Sequence, residues 1–291
     1  MSAAVQVGPD FLCIGAQKAG TGWLYEQLRS HPDFWMPPMK ELHYFDRREE
    51  AGGSSVKRSL PLARKEAERI AIARKRAHDE RDREFLDSFE GLSPALDFDS
   101  YAKLFRPKGN SLSGDITPGY SLLNDDLVKQ ITARFSATKV VFIARDPVER
   151  AWSQLSMYVR RGLIDRLDPD DPGQISEQLR RPEILARSYT SEIVRRWKRF
   201  VSADLFRVFF FDDLARDAAG LRHSIISFLG GNANTASGNL SAAYNAKAMK
   251  QKLFMTQAAR EHLARFFENE LHACAAELGG PAVDWPGRYG L

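Results

Sequence analysis

Three groups of residues in this 291-residue chain have types and spacings suited to chemistry. The first is Gly15-Ala-Gln-Lys18-Ala19-Gly20-Thr21-Gly22-Trp23. It follows the apolar run Phe11 to Ala16, which reads as a buried strand. It leads into a helical pattern that begins at Trp23 and continues through Leu24 and Leu28. A strand, a glycine-rich turn and a helix start point backbone N–H groups at an anion. Lys18 adds a cation to that turn and Thr21 a hydroxyl, so the turn suits a phosphate and, by extension, a nucleotide. The plainer alternative is an ordinary strand-to-helix turn with an exposed lysine. The second group is Lys40-Glu41-Leu-His43-Tyr44-Phe45-Asp46. If this stretch is extended, Glu41, His43 and Phe45 share one face, and a carboxylate and an imidazole point into the same space. A polar strand end with an incidental Glu and His is the alternative. The third is Arg145-Asp-Pro147-Val-Glu-Arg-Ala-Trp-Ser153. Pro147 suits a first helical position, so a helix opens there. Arg145 at the strand end and Ser153 inside the helix can grip a second phosphate, one by a charge-assisted contact and one by its hydroxyl. Alternatively, Arg145 pairs with a structural carboxylate and Ser153 is a small exposed residue.

The elements that carry these groups read as alternating strands and helices. After the first strand–helix unit, strand-like runs fall at 111–117, 139–145 and 206–211. Val140-Val-Phe-Ile143 and Val208-Phe-Phe-Phe211 are continuously apolar, as expected of central parallel strands. Helical patterns fill 122–135, 148–161, 189–201, 214–229 and 256–278; in the last, Leu263, Phe266, Phe267 and Leu271 recur at helical spacing. Alternation of this kind predicts an α/β fold with a central parallel sheet flanked by helices. Ligands of such sheets sit at the carboxyl ends of the strands, where the Lys18 loop falls. Residues 47–93 break the pattern. They are dense in both charge signs and only weakly periodic at Leu62, Ile70 and Ile72. They read as a charged helical insertion, either a solvated surface segment or a lid beside the site.

Composition excludes several classes. Hydrophobic residues make up 43% of the chain, enough for a sizeable core, and the net charge is only +4. That is not the profile of a dedicated nucleic-acid binder, although it suits a multiply phosphorylated ligand. The two cysteines, Cys13 and Cys274, both fall in apolar patterns and imply neither a disulfide framework nor a metal site. Residues 1–10 lack a charged n-region and an apolar h-region. No run approaches the ~18 consecutive apolar residues of a membrane span. The expectation is a cytoplasmic protein with no membrane span and no nucleic-acid partner.

The order of residues in the first loop differs from a Walker A motif, where the Lys follows the last Gly and precedes Ser or Thr. Lys18 comes before Gly20 and Gly22. The loop resembles instead the 5′-phosphosulfate-binding loop of sulfotransferases that use 3′-phosphoadenosine 5′-phosphosulfate (PAPS). Glu41 follows Lys18 by 23 positions, and Glu41-Leu-His43-Tyr44-Phe45-Asp46 is similar to the Glu-x-His-Phe-Phe-Asp-like segment of glycan-type members, with Tyr44 in place of a Phe. The Arg145–Ser153 stretch resembles the family's 3′-phosphate-binding motif. Gly114-Asp115-Ile-Thr117-Pro-Gly119-Tyr120 resembles a further family segment, with Asp115 where Glu is usual. Asp284-Trp285 resembles a terminal core Trp, and Tyr244-Asn-Ala-Lys247 stands where relatives close a loop over the nucleotide.

The resemblance implies a single P-loop-like α/β domain over 1–291, with the 47–93 insertion inside it, and a PAPS-dependent sulfotransferase of the bacterial or glycan type. PAPS is then the co-substrate, adenosine 3′,5′-bisphosphate the product, and no metal is required. Glu41 carries over as general base, with His43 and Asp46 assisting it or holding the acceptor. Lys18 stabilises the leaving 5′-phosphate, with Thr21 and the backbone from Ala19 through Gly20 and Gly22 to Trp23 around that phosphate. Arg145 and Ser153 hold the 3′-phosphate, with a further charge from Lys247 or Lys250, and Tyr120 lies on the acceptor side. The acceptor group is a hydroxyl, with an amine as the lesser alternative, and its class is open among glycan, lipid, peptide and small metabolite. Trp35, Met36 and Tyr44 either line its pocket or belong to the core. The rival readings are an ATP-dependent phosphotransferase of P-loop type and a non-enzymatic protein that binds an anionic polymer.

Overall fold

Phe11-Leu-Cys-Ile-Gly15 has no polar side chain, and a strand of that kind is stable only where both of its faces are covered. In the computed structural model, which describes residues 7–49, 60–93, 95–235 and 253–291, it is the fully buried strand β1 (Phe11–Gly15). The other strands are β2 (Gly114–Ile116), β3 (Lys139–Ala144) and β4 (Phe206–Phe210). They form one sheet in the order β2-β1-β3-β4, with every neighbouring pair parallel. Phe11 stands opposite both Gly114 and Lys139, and Val140 opposite Phe206. Each strand is shorter than its strand-like run in the sequence: Ala16 and Arg145 fall in the loops after β1 and β3, Phe211 opens the next helix, and β2 keeps only Gly114–Ile116 of 111–117.

Helices cover the sheet: α1 (Thr21–Arg29), α2 (Asp46–Glu49), α3 (Leu60–Arg76), α4 (Glu80–Glu90), α5 (Phe98–Lys103), α6 (Asp125–Arg134), α7 (Pro147–Arg160), α8 (Pro172–Leu179), α9 (Pro182–Leu185), α10 (Thr190–Lys198), α11 (Phe211–Arg216), α12 (Ala218–Leu229), α13 (Gln257–Phe266) and α14 (Glu268–Leu278). Two long helical patterns are each split. Between α11 and α12 the Asp217 carboxylate accepts from the Gly220 N–H at 2.9 Å, a side-chain cap that starts a new helix. Between α13 and α14 the buried Phe267 leaves helical geometry (ψ 14°). Among the described residues, no helix is long and apolar enough to cross a membrane.

Within 47–93, α3 and α4 have apolar faces that join the core. Ile70, Ala73, Phe85, Leu86 and Phe89 are buried. Trp35 meets Phe85 edge-on at 6.0 Å, and its indole N–H donates to Asp82 Oδ1 at 3.2 Å. Charges line the outer faces, where Arg74 bridges Asp87 and Glu90 at 2.7 Å each. Residues 50–59 of this segment lie outside the described residues.

Beneath the carboxyl edge near β2, the aromatic residues Tyr44, Phe45, Tyr101 and Tyr120 are fully enclosed. Phe45 sits at their centre, 4.5 Å from Tyr101, 5.2 Å from Tyr120 and 5.3 Å from Tyr44 between ring centroids. Trp35 and Met36 are buried as well, so Trp35, Met36 and Tyr44 belong to the core. Phe45→Ala leaves a large void under the adjacent loop and is expected to cost about 3–5 kcal/mol of stability in denaturant unfolding. A cost under ~1 kcal/mol would show that the cluster is not the loop's foundation.

Candidate active site

The loop after β1 turns sharply. Lys18 has φ 74° and Gly20 φ 88°, both left-handed. Glycine suits the second position for two reasons: it adopts that φ without strain, and a Cβ there would lie 2.7 Å from Leu214 Cδ2. Helix α1 begins at Thr21, two residues earlier than its apolar periodicity suggests. Thr21, Gly22 and Trp23 therefore form its first turn, whose amides have no partners within the helix itself. That turn contains no acidic side chain. Ala19 departs from its expected role. Its N–H donates to the Ala16 carbonyl at 3.2 Å, which closes the turn and takes this amide away from any bound anion.

Arg145 follows β3 directly, beside β1 in the sheet. Its Nη1 donates to the Lys18 carbonyl at 2.6 Å, so the loops after β1 and β3 are joined. The guanidinium lies 4.4 Å from the centre of the Phe211 ring and 3.6 Å from Glu149 Oε2. Burial works against the Arg145 charge and pulls its pKa down, while the carboxylates of Glu149, Asp146 and Asp212 oppose that shift. The carboxylate partner considered as an alternative is thus present, together with a contact to the Lys18 loop. Asp146 caps α7, accepting from the Val148 N–H at 2.9 Å, and it also accepts from the Tyr289 hydroxyl at 2.8 Å. Burial pushes its carboxyl up to about 6. Ser153 is half-buried, one turn beyond Glu149 on the same face of α7. Lys247 and Lys250 lie outside the described residues.

The Glu41–Asp46 stretch is not extended. Glu41 (φ 63°) and His43 (φ 52°) are both left-handed, and α2 starts at Asp46. The chain coils, so Phe45 turns down into the aromatic cluster while Glu41 and His43 stay at the surface of the site. Three side chains form a line. His43 Nδ1 lies 2.6 Å from Asp46 Oδ2, and His43 Nε2 lies 3.4 Å from Glu41 Oε2. Lys40 Nζ donates to Glu41 Oε1 at 2.6 Å. For His43, burial favours the neutral ring, but the two carboxylates outweigh it and raise the pKa to about 9. At neutral pH the ring is an imidazolium between two carboxylates. For Glu41, burial favours the neutral acid, but His43 and Lys40 outweigh it and hold the carboxyl far below its usual range.

Asp115 at β2 supports this loop from below. Its buried carboxylate accepts from Thr117 Oγ1 at 2.6 Å, Tyr120 OH at 2.7 Å and Tyr101 OH at 3.1 Å. Burial raises its pKa, and these hydroxyls oppose the rise. The Tyr120 hydroxyl in turn accepts from the Tyr44 N–H at 3.0 Å, and Thr117 Oγ1 accepts from the His43 N–H at 3.5 Å. Tyr120 is fully enclosed and both bonds of its hydroxyl are internal. It props up the loop and does not face an acceptor, which corrects the sequence expectation. Gly119, within the Gly114–Tyr120 segment, has a steric role that the sequence does not show. A Cβ there would lie 2.3 Å from Asp46 Oδ2 and 3.5 Å from His43 Nδ1, so only glycine leaves the His43–Asp46 pair undisturbed. Phe211 and Arg69, which donates to the carbonyls of Lys40 and Glu41, also lack a sequence signal, because each acts through a contact distant in the chain.

A raised histidine pKa fixes the sign of a pH effect. The stability contributed by His43 is fully present below about 6.5 and is lost as pH rises through about 9. The stability difference between the natural chain and His43→Gln is therefore expected to shrink between pH 6.5 and 9.5 in denaturant titrations. A difference that stays constant over that range means His43 is not charged in the folded protein.

Known proteins can now be set beside this geometry. A sequence model described as "Sulfotransferase family" matches residues 9–234. A solved sulfotransferase from Alicyclobacillus acidocaldarius superposes with a TM-score of 0.67 at 19% identity, over 95% of this chain and 98% of that one. The sulfotransferase domain from the curacin biosynthetic pathway gives a TM-score of 0.51 at 13% identity, over 90% and 98% of the two chains. No curated protein sequence matches the chain. The solved structures share its fold, and the family match spans the β1 loop, the Glu41 loop and the Arg145 motif: the chain belongs to the sulfotransferase family.

Proposed function

We propose that this chain transfers a sulfuryl group from PAPS to an acceptor hydroxyl and releases adenosine 3′,5′-bisphosphate. The acceptor oxygen attacks sulfur, the bond from sulfur to the 5′-phosphate oxygen breaks, and the acceptor proton passes to Glu41. The observation that carries this reading is the Arg145 bond to the Lys18 carbonyl. It brings a cation for a second phosphate beside the turn suited to the first. Further support comes from the sheet order, which puts the Glu41 loop, the Lys18 loop and Arg145 over three adjacent strands.

In this scheme Lys18 neutralises charge on the leaving 5′-phosphate, and the first turn of α1 holds that phosphate. Arg145 and Ser153 hold the 3′-phosphate, so a nucleotide without one, such as ATP, binds poorly. A carboxylate flanked by two cations is a weak base. The proton therefore moves late, after bonding to sulfur has made the hydroxyl acidic. In a loose transition state of this kind, positioning and charge supply most of the rate.

Calorimetry with adenosine 3′,5′-bisphosphate and adenosine 5′-monophosphate tests donor recognition directly. The bisphosphate is expected to bind more tightly, and Arg145→Ala to erase most of that preference; no binding of the bisphosphate by folded protein would defeat the proposal. Acceptor screening by mass spectrometry with PAPS should reveal a product heavier by one sulfuryl group. On that product's formation, Glu41→Gln is expected to abolish turnover while sparing nucleotide binding, and Lys18→Ala to reduce turnover by ~10²-fold. Normal turnover in Glu41→Gln would move the role of base to His43.

A further inference from the structure

The charged segment before β2 has no task in the scheme above, yet one of its side chains reaches the site. Arg69, in the middle of α3, donates from Nη2 to the Lys40 carbonyl at 2.8 Å and to the Glu41 carbonyl by a shorter contact. One turn earlier on the same face, the buried Glu66 pairs with Arg47 of α2 at 3.4 Å. Ile70 and Ala73 bury in the core. Helix α3 is thus seated by contacts other than Arg69, and the guanidinium is left to act on the loop.

What it acts on is strained. Glu41 and His43 hold left-handed backbone angles with side chains that disfavour them, and such angles persist only when the surroundings impose them. The Asp115 network restrains the amides of His43 and Tyr44. The opposite end of the strained stretch, the Lys40 and Glu41 carbonyls, is restrained by Arg69. We propose that Arg69 is a positioning residue for the base: by holding these two carbonyls it keeps the Glu41 carboxylate on His43, and it makes α3 part of the catalytic apparatus. The catalytic meaning of this inference rests on the reading of Glu41 as general base; its geometric content does not.

His43 reports on the geometry. It is faced by Glu41 from its own loop, by Asp46 and Arg47 from α2, and by the Gly119 backbone after β2. Removing the Arg69 charge alone can only raise the His43 pKa, because a cation has gone. Losing the Glu41 contact lowers it. The two effects have opposite signs, so a titration separates positioning from simple charge.

The test uses the full chain carrying Arg69→Met or Arg69→Lys, with His43 titrated by NMR on 15N-histidine-labelled protein. In Arg69→Met the His43 midpoint is expected to fall by one pH unit or more from about 9. A smaller fall is expected in Arg69→Lys, which keeps the charge but not the forked donor. Adenosine 3′,5′-bisphosphate affinity by calorimetry should stay within about twofold. With the acceptor found by screening, kcat should drop on the order of 10-fold or more, with KM for PAPS unchanged. A midpoint that stays or rises in either folded variant overturns the inference, and if Arg69→Met does not fold, the sign in Arg69→Lys decides. Failure of Glu41→Gln to affect transfer would instead sink the assignment of the base, and the Arg69 titration would stand apart from it.

Discussion

The site depends on one topological constraint: β1 lies between β2 and β3, and all three run the same way. Parallel strands bring their carboxyl ends to a single edge, roughly 5 Å apart from one strand to the next. On that edge, the Thr117–Tyr120 stretch after β2 supports the Glu41 loop, β1 feeds the Lys18 turn, and β3 presents Arg145. Residues separated by more than a hundred positions become neighbours without any of them needing a long reach. The Arg145 bond to the Lys18 carbonyl is possible because β1 and β3 are adjacent, with Ala16 N–H also donating to the Ile143 carbonyl at 2.9 Å.

Within that frame, the polar groups of the site are held by pairing in a partly dry setting. A buried carboxylate is costly unless it is hydrogen-bonded, and Asp115 accepts from three hydroxyls. Two of those hydroxyls pass the restraint on to backbone amides of the Glu41–Asp46 loop. Above them, His43 carries its proton because Glu41 and Asp46 flank it, and Glu41 keeps its charge because His43 and Lys40 flank it. The charges at the site are thus mutually dependent, from Lys40 through to Asp46.

Much of this was legible in the sequence. Continuous apolar runs mark β1, β3 and the end of β4, and β2 falls inside the strand-like stretch 111–117 despite its central Asp115, so the parallel sheet could be read from the sequence. The glycine-rich turn and the Arg-Asp-Pro helix start are local signals; α7 opens at Pro147 as read, and α1 opens at Thr21, two residues before the apolar pattern begins. Three features were not legible. The coil at Glu41 and His43 depends on bonds to Thr117, Tyr120 and Arg69, partners that lie 28 or more positions away in the chain. Tyr120 looks like a ligand contact in a motif, and only the packing of Phe45 and Asp115 around it reveals a support. The apolar faces of α3 and α4 are sparse: a few residues such as Ile70, Ala73, Phe85 and Phe89 bury among many charges, which blurs their helical period.

The left-handed angles of Glu41 and His43 carry a consequence for how such chemistry can be inherited or borrowed. Glycine would accept those angles readily, but it has neither carboxylate nor imidazole to offer. The peptide from Lys40 to Asp46 is therefore not a portable unit. Transplanted onto another scaffold without its buried carboxylate below and its guanidinium alongside, it would relax to ordinary angles and separate the two groups. Substitution in this region is correspondingly collective: the seven residues and their remote braces have to change together or remain as they are.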